Sequence, residues 1–130
     1  MEVRGVTAHG NNKFERRMRD YPEVFAKYTR MNNLHPGTLN VKTDEYIAIW
    51  PHFIIPGSEA DDPKQDLLFE QCTLIFEGER HDGFRVRPYH RPTGCGGNGD
   101  NHLEIVAPTI PGAETKGRDI RLEFDRSDRR

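Results

Sequence analysis

The chain has little of three things that often decide a protein's class: cysteine, a long apolar run, and an excess of one charge. Its two cysteines, Cys72 and Cys95, are too few for a disulfide framework, which excludes a small disulfide-stapled fold and predicts free thiols. The richest apolar segments are short, such as Leu74-Ile75-Phe76, far from the roughly 18 residues that a membrane-spanning helix needs. The opening Met1-Glu2-Val3-Arg4 also lacks the apolar centre of a signal peptide. These absences predict a soluble cytoplasmic protein with no membrane partner. Basic excess is missing too, since 19 Lys and Arg stand against 21 Asp and Glu, interspersed, for a formal net charge of −2. A protein that rides on nucleic-acid phosphates carries such an excess, so nucleic acid is not an expected partner. A small anion such as a nucleotide stays open, because backbone N–H groups and one metal ion can neutralise it locally.

What is present suits one small domain. At 130 residues, with 34% hydrophobic and 31% charged residues, the chain has room for a single core. We therefore expect one domain over residues 1–130, with the charged tail 125–130 frayed. Val3 to Ala8 reads as a strand running into the turn-like His9-Gly10-Asn11-Asn12-Lys13. Phe14, Met18, Tyr21, Phe25 and Tyr28 then recur at spacings of three and four, one helical face. Pro22 suits a first turn and not an interior, which places the helix proper from near Tyr21 to near Asn32-Asn33.

Beyond Gly37 the pattern is of short strands: Leu39 to Lys42, Tyr46 to Trp50, Leu68 to Phe76, Gly83 to Arg87, Leu103 to Val106 and Ile120 to Phe124. Long loops are expected over 56–66 and over the glycine-rich 91–101. Six or seven strands and one helix imply a mainly β fold, barrel-like or sandwich-like, with the helix over an opening or edge.

Pro36-Gly37-Thr38-Leu39-Asn40-Val41 is the most informative segment. Pro-Gly sets a tight turn, and strand alternation then places Thr38 and Asn40 on one face, two hard oxygen donors side by side. Such donors suit Mg²⁺, which keeps several waters and takes much of its coordination from substrate phosphates. This segment resembles the Pro-Gly-Thr-Leu-Asn signature of the archaeal CTP-dependent riboflavin kinases. The Gly10 loop ending Lys13-Phe14, the helix with Tyr21 and Phe25, and Leu103-Glu104-Ile105-Val106-Ala107-Pro108 resemble further parts of that family in order and spacing. The resemblance covers about Gly5 to Pro108.

It implies a six- to seven-stranded cradle-loop β-barrel that transfers phosphate from CTP to riboflavin, giving FMN. By position it implies Mg²⁺ on Thr38 and Asn40, nucleotide contacts from Gly10, Asn11, Asn12 and Lys13 and again from Thr109 and Ile110, and flavin contacts from Thr93 and Glu104. No general base follows from it. The chain departs from the family pattern in three places: a glycine-poor nucleotide loop, Thr109-Ile110-Pro111-Gly112 after Ala-Pro, and an insertion over 93–101. These departures keep open a non-catalytic module that binds flavin or nucleotide on the same scaffold. His81, His90, Cys95 and His102 match no familiar zinc spacing. Trp50 and Phe53 could stack on a planar ligand, although rim or core packing is the commoner role of such residues.

Overall fold

The computed structural model describes residues 1–10, 13–60, 62–90, 93–96 and 99–126, with Lys13 described by its backbone alone. Among these residues eight antiparallel strands make one sheet: β1 (Glu2–Ala8), β2 (Leu39–Thr43), β3 (Phe53–Ile55), β4 (Gln65–Phe76), β5 (Glu79–His90), β6 (Gly94–Cys95), β7 (His102–Val106) and β8 (Asp119–Glu123). Six of them close on themselves in the order β4, β8, β1, β2, β7, β5, because the long β4–β5 hairpin completes the circuit. β3 and β6 extend the hairpin as outer strands on β4 and β5. Two helices, α1 (Lys13–Asp20) and α2 (Pro22–Thr29), lie between β1 and β2 in the chain. Among the described residues no helix is long and apolar enough to cross a membrane.

Strand alternation sorts the side chains into two clusters. One face of the ring contributes Val3, Val41, Leu74, Leu103, Ile105, Ile120 and Leu122 to a shared core, with cross-strand partners such as Val41 with Leu103 and Val3 with Leu122. The other face, carrying Leu67, Phe69, Phe84, Val86 and Val106, is covered by Phe14, Met18 and Phe25 of the helices. Burying each such side chain stabilises the fold by about 1.5–3 kcal/mol. Arg17 fastens the covering layer by donating to the Ala60 carbonyl at 2.8 Å and to Gln65, while Tyr28 donates to Glu59 at 2.5 Å.

Several sequence expectations are corrected. The single helix is two, because a residue preceding proline is disfavoured in helical geometry: Tyr21 sits at φ −128°, ψ 48°, and Pro22 starts α2. Among the described residues eight strands replace six or seven, since β3 lies in a stretch given no strand and the two-residue β6 in the segment read as the 91–101 loop. Tyr46 to Trp50 is not a strand, because its backbone groups are taken from elsewhere. The Ile47 N–H donates to the Asp100 carbonyl and the Trp50 N–H to the Glu70 carboxylate. β4 begins inside the expected 56–66 loop, at Gln65.

Inside the ring, β5 does not turn an apolar residue inward. Arg85 is 1% exposed, and its partner across the hairpin, Glu70, is 0% exposed. Arg126, just past β8, reaches Glu70 with two donors at 2.8 and 2.9 Å and the Ala48 carbonyl at 2.8 Å, and its guanidinium lies over the Trp50 ring at 4.8 Å. Arg85 donates to the Ile47 carbonyl and faces Asp100 at 3.6 Å. Burial pulls the Arg85 guanidinium down to about 10, with Asp100 opposing, so it stays charged at neutral pH. Removing one partner of a buried pair strands the other charge, so Arg126→Ala is expected to cost about 3 kcal/mol in urea unfolding. A loss below about 0.5 kcal/mol, the size of a typical surface substitution, would show that the pair does not hold the chain end in place.

Candidate functional site

The turn Pro36-Gly37 delivers the chain into β2, with Gly37 at φ +114°, a conformation that glycine adopts without strain, and its N–H directed to the Met18 sulfur at 3.3 Å. That contact ties the turn to α1. The β2–β7 register then sets Asn40 directly opposite Glu104, and both are buried, at 4% and 6% exposure. Thr38 lies on the same face, its hydroxyl 3.4 Å from Glu104 Oε1, a long contact that leaves the two oxygens loosely coupled.

The Asn40 carboxamide is oriented at both ends. Its Nδ2 donates to the Thr38 carbonyl at 3.3 Å, and its Oδ1 lies 3.1 Å from His102 Nε2. Burial, reinforced by Lys42 across the strand pair, holds His102 below the ordinary imidazole range. With the carboxamide oxygen on this side, His102 Nε2 carries the proton and donates to Asn40 Oδ1.

Gly10 closes over this group from the end of β1, where Ala8 pairs with Asn40. A Cβ on Gly10 would stand 2.2 Å from Asn40 Nδ2 and 2.4 Å from Oδ1. Glycine is required here for space beside the carboxamide.

On the other side, His35 binds Thr109, Nδ1 to Oγ1 at 2.8 Å, and its N–H donates to the Ala107 carbonyl at 2.9 Å. These links close a cavity of about 90 Å³ lined by Thr38, Leu39, Ile105, Thr109, Ile110 and Glu114, among others. Small-molecule sites run to about 300–1,000 Å³, so this cavity accepts a phosphate-sized group and not a whole nucleotide. A larger trough, about 850 Å³, lies between the chain ends near Met1, Gln71 and Arg126. Of its charged side chains, Arg80 pairs with Glu123 while Arg126 turns to Glu70 outside the trough, and none of the expected site residues lines it.

Of the expected residues, the structure therefore brings together Gly10, Thr38, Asn40 and Glu104, with Thr109 and Ile110 on the cavity that Thr38 shares. The Ile110 side chain is buried in the core cluster, while Thr109 is exposed and held by His35. Asn11 and Asn12 lie outside the described residues, and Lys13 opens α1. Thr93 stands apart. It precedes β6, which pairs with Tyr89 and His90, whereas Glu104 pairs with Val86. Four residues of strand, about 13 Å, separate the two places, so a ligand touching both must be that long.

Phe53 stacks on Phe69 at 4.9 Å and on Tyr28 within the aromatic layer beneath α2, whereas Trp50 carries Arg126 over its ring and is 44% exposed. Cys72 is buried beside Glu70, which pushes its thiol up to about 12 and keeps it from acting as a nucleophile. Among the described residues no group of three or more His, Cys, Asp and Glu side chains could hold a metal ion. The donor set that does gather is a hydroxyl, a carboxamide and a carboxylate, all hard oxygens. That chemistry fits Mg²⁺ and would not suit a soft metal.

No family model matches the chain, and no curated protein matches it.

The part His35 plays escaped the sequence reading, and His102 was weighed there only as a zinc ligand. A signal for His102 existed, since its spacing of two from Glu104 on a strand puts both on one face. The Gly10 contact yields a direct test. Gly10→Ala is expected to push the Asn40 carboxamide off its partners at a cost of about 1–3 kcal/mol, seen as displaced Asn40 side-chain amide resonances in ¹⁵N spectra; unchanged resonances would show that the contact is not enforced.

Proposed function

We propose that this chain is a cradle-loop barrel enzyme that transfers the γ-phosphoryl group of a nucleoside triphosphate, CTP as first choice, to the primary hydroxyl of riboflavin or a similar acceptor. The observation that carries the reading is the set of oxygens on Thr38, Asn40 and Glu104 beneath the Gly10 turn. The closed circuit of six strands supports the barrel, and the resemblance of Pro36 to Val41 and of Leu103 to Pro108 supports the donor and acceptor.

In this reading Thr38 and Asn40 hold Mg²⁺, with the Glu104 carboxylate beside them. Bound there, Mg²⁺ would supply positive charge to neutralise the nucleotide phosphates. The acceptor hydroxyl oxygen forms a bond to the γ-phosphorus as the bond to the β-bridging oxygen breaks, the nucleoside diphosphate leaves, and the hydroxyl proton passes to solvent. Such a transfer depends on positioning and charge neutralisation more than on covalent catalysis by the protein. Gly10 lets the turn approach the site, and the cavity next to Thr38 is sized for a phosphoryl group. Glu104 orients the acceptor. Thr93 touches the far end of an acceptor about 13 Å long, by strand spacing.

The small cavity also favours a second reading, a barrel that binds flavin or nucleotide without transfer. The deciding assay incubates the protein with riboflavin, Mg²⁺ and each nucleoside triphosphate in turn and separates riboflavin from FMN. FMN formed with CTP and lost in Asn40→Ala supports the kinase, with a fall of at least about 100-fold expected for loss of a group that acts on transition-state charge. Saturable binding with no FMN supports the binding module, and neither binding nor product defeats both.

A further inference from the structure

We infer that His90 binds the far end of the acceptor, offering the N–H of its Nδ1 to a carbonyl oxygen or a bare ring nitrogen. The inference rests on the proposed reading that an acceptor reaches from Glu104 toward Thr93, and it names a second contact at that far end. Val86 pairs with Glu104, and His90 lies four residues further along β5, so strand alternation puts His90 on the same face as Glu104. His90 also pairs with Gly94, the residue after Thr93. The imidazole therefore belongs to the Thr93 end, about 13 Å along β5 from the place opposite Glu104.

Which ring nitrogen carries the proton is fixed from α1. The Arg17 guanidinium can only donate, and it donates to Gln65 Oε1. The other end of that carboxamide, Nε2, can only donate in its turn, and it lies 3.0 Å from His90 Nε2. His90 Nε2 is therefore the bare, accepting nitrogen, and the single proton of the neutral ring sits on Nδ1. Packing leaves Nδ1 on the open edge of the ring. Gly96 lies against the opposite edge, where a Cβ would stand 2.7 Å from Cδ2 and 2.9 Å from Nε2. Gly96 is itself held by the Pro88 carbonyl, which accepts its N–H at 2.9 Å, and by Arg87, which donates to its carbonyl. Among the described residues Nδ1 has no hydrogen-bond partner, and the side chain is half-buried. An oriented donor left over by the protein is a group for a ligand to meet. It is also selective, since an N–H or NH₂ on the ligand would face it donor against donor.

The test measures riboflavin binding to the full chain by quenching of flavin fluorescence, without nucleotide, in the unsubstituted protein and in His90→Ala, His90→Asn and His90→Gln, each with its melting temperature recorded. Asparagine places an N–H close to where Nδ1 stands, whereas glutamine reaches the place of Nε2 and leaves that of Nδ1 empty. Loss of one neutral hydrogen bond corresponds to about 3- to 10-fold in affinity, so His90→Ala and His90→Gln are expected to weaken binding by that factor and His90→Asn to return it to within about 2-fold. Nucleotide binding should not change. Imidazole ¹⁵N spectra of the unsubstituted protein at about pH 8.5, where an ordinary imidazole is neutral, should show the His90 proton on Nδ1. Undiminished riboflavin binding in His90→Ala, or a proton on Nε2, overturns the inference and leaves the acceptor reading standing. No riboflavin binding by the unsubstituted protein defeats the acceptor reading and the inference with it. Should His90→Ala fail to fold, the other two variants decide: equal binding in His90→Asn and His90→Gln shows that nothing contacts the place of Nδ1 and ends the inference.

Discussion

The closed ring holds two buried charges, Glu70 and Arg85, in register across the β4–β5 hairpin, and each takes its ion-pair partner from another segment, Arg126 and Asp100. Buried charges carry a desolvation penalty that pairing offsets only when their remaining bonding positions are filled. Three segments supply those partners. The 44–52 stretch gives the Ile47 carbonyl to Arg85 and the Trp50 N–H to Glu70, the chain after β8 gives Arg126, and the loop before β7 gives Asp100. Asp100 also binds Arg87, which in turn donates to the Gly96 carbonyl at 3.3 Å. A segment with little secondary structure of its own is thereby fixed by the polar demands of two strands.

This arrangement fixes the site from a distance. Anchoring the loop before β7 sets where β7 begins: the Thr43 N–H donates to the Asn101 carbonyl at 2.9 Å, and Lys42 then pairs with His102. From that point the strand period determines the rest. Asn40 must oppose Glu104, and Thr38 must fall on the same face. A slip of one residue in this register would turn Asn40 and Glu104 to the apolar interior and Val41 and Leu103 outward, at the cost of the core. The site is therefore held in register by the hydrophobic pattern of its own two strands, with the buried pair acting as the stop.

The sequence made some of this legible and hid the rest for physical reasons. β1, β2, β7 and β8 were each read to within a residue, because apolar side chains alternate in them or a turn signal precedes them. Thr38 and Asn40 as a pair followed from alternation and from the Pro-Gly turn, whereas Glu104 came only from the family resemblance. The hairpin was read too short, since Gln65-Asp66 and Pro88-Tyr89-His90 look like loop when their partner strand is unknown. Glu70 and Arg85 drew no reading from sequence, because a single strand does not reveal which charges meet across a hairpin. Gly10 was read as freedom for the backbone, whereas its contact with Asn40 shows a need for space, a property of two residues thirty positions apart.

The cavity beside Thr38 bears on how such a scaffold could take a nucleotide. Its walls come from 34–39 and 105–114, tied together by the Leu34–Pro108 bridge and the His35–Thr109 bond, so it is not free to widen by moving one side alone. The other border of the site, Gly10 just past β1, packs directly on the Asn40 carboxamide. If a nucleotide binds as proposed, its phosphoryl end belongs in the fixed cavity and its remainder must lie outside the space that Gly10 and Asn40 fill. On that reading the His35–Thr109 side sets where the transferred group stops.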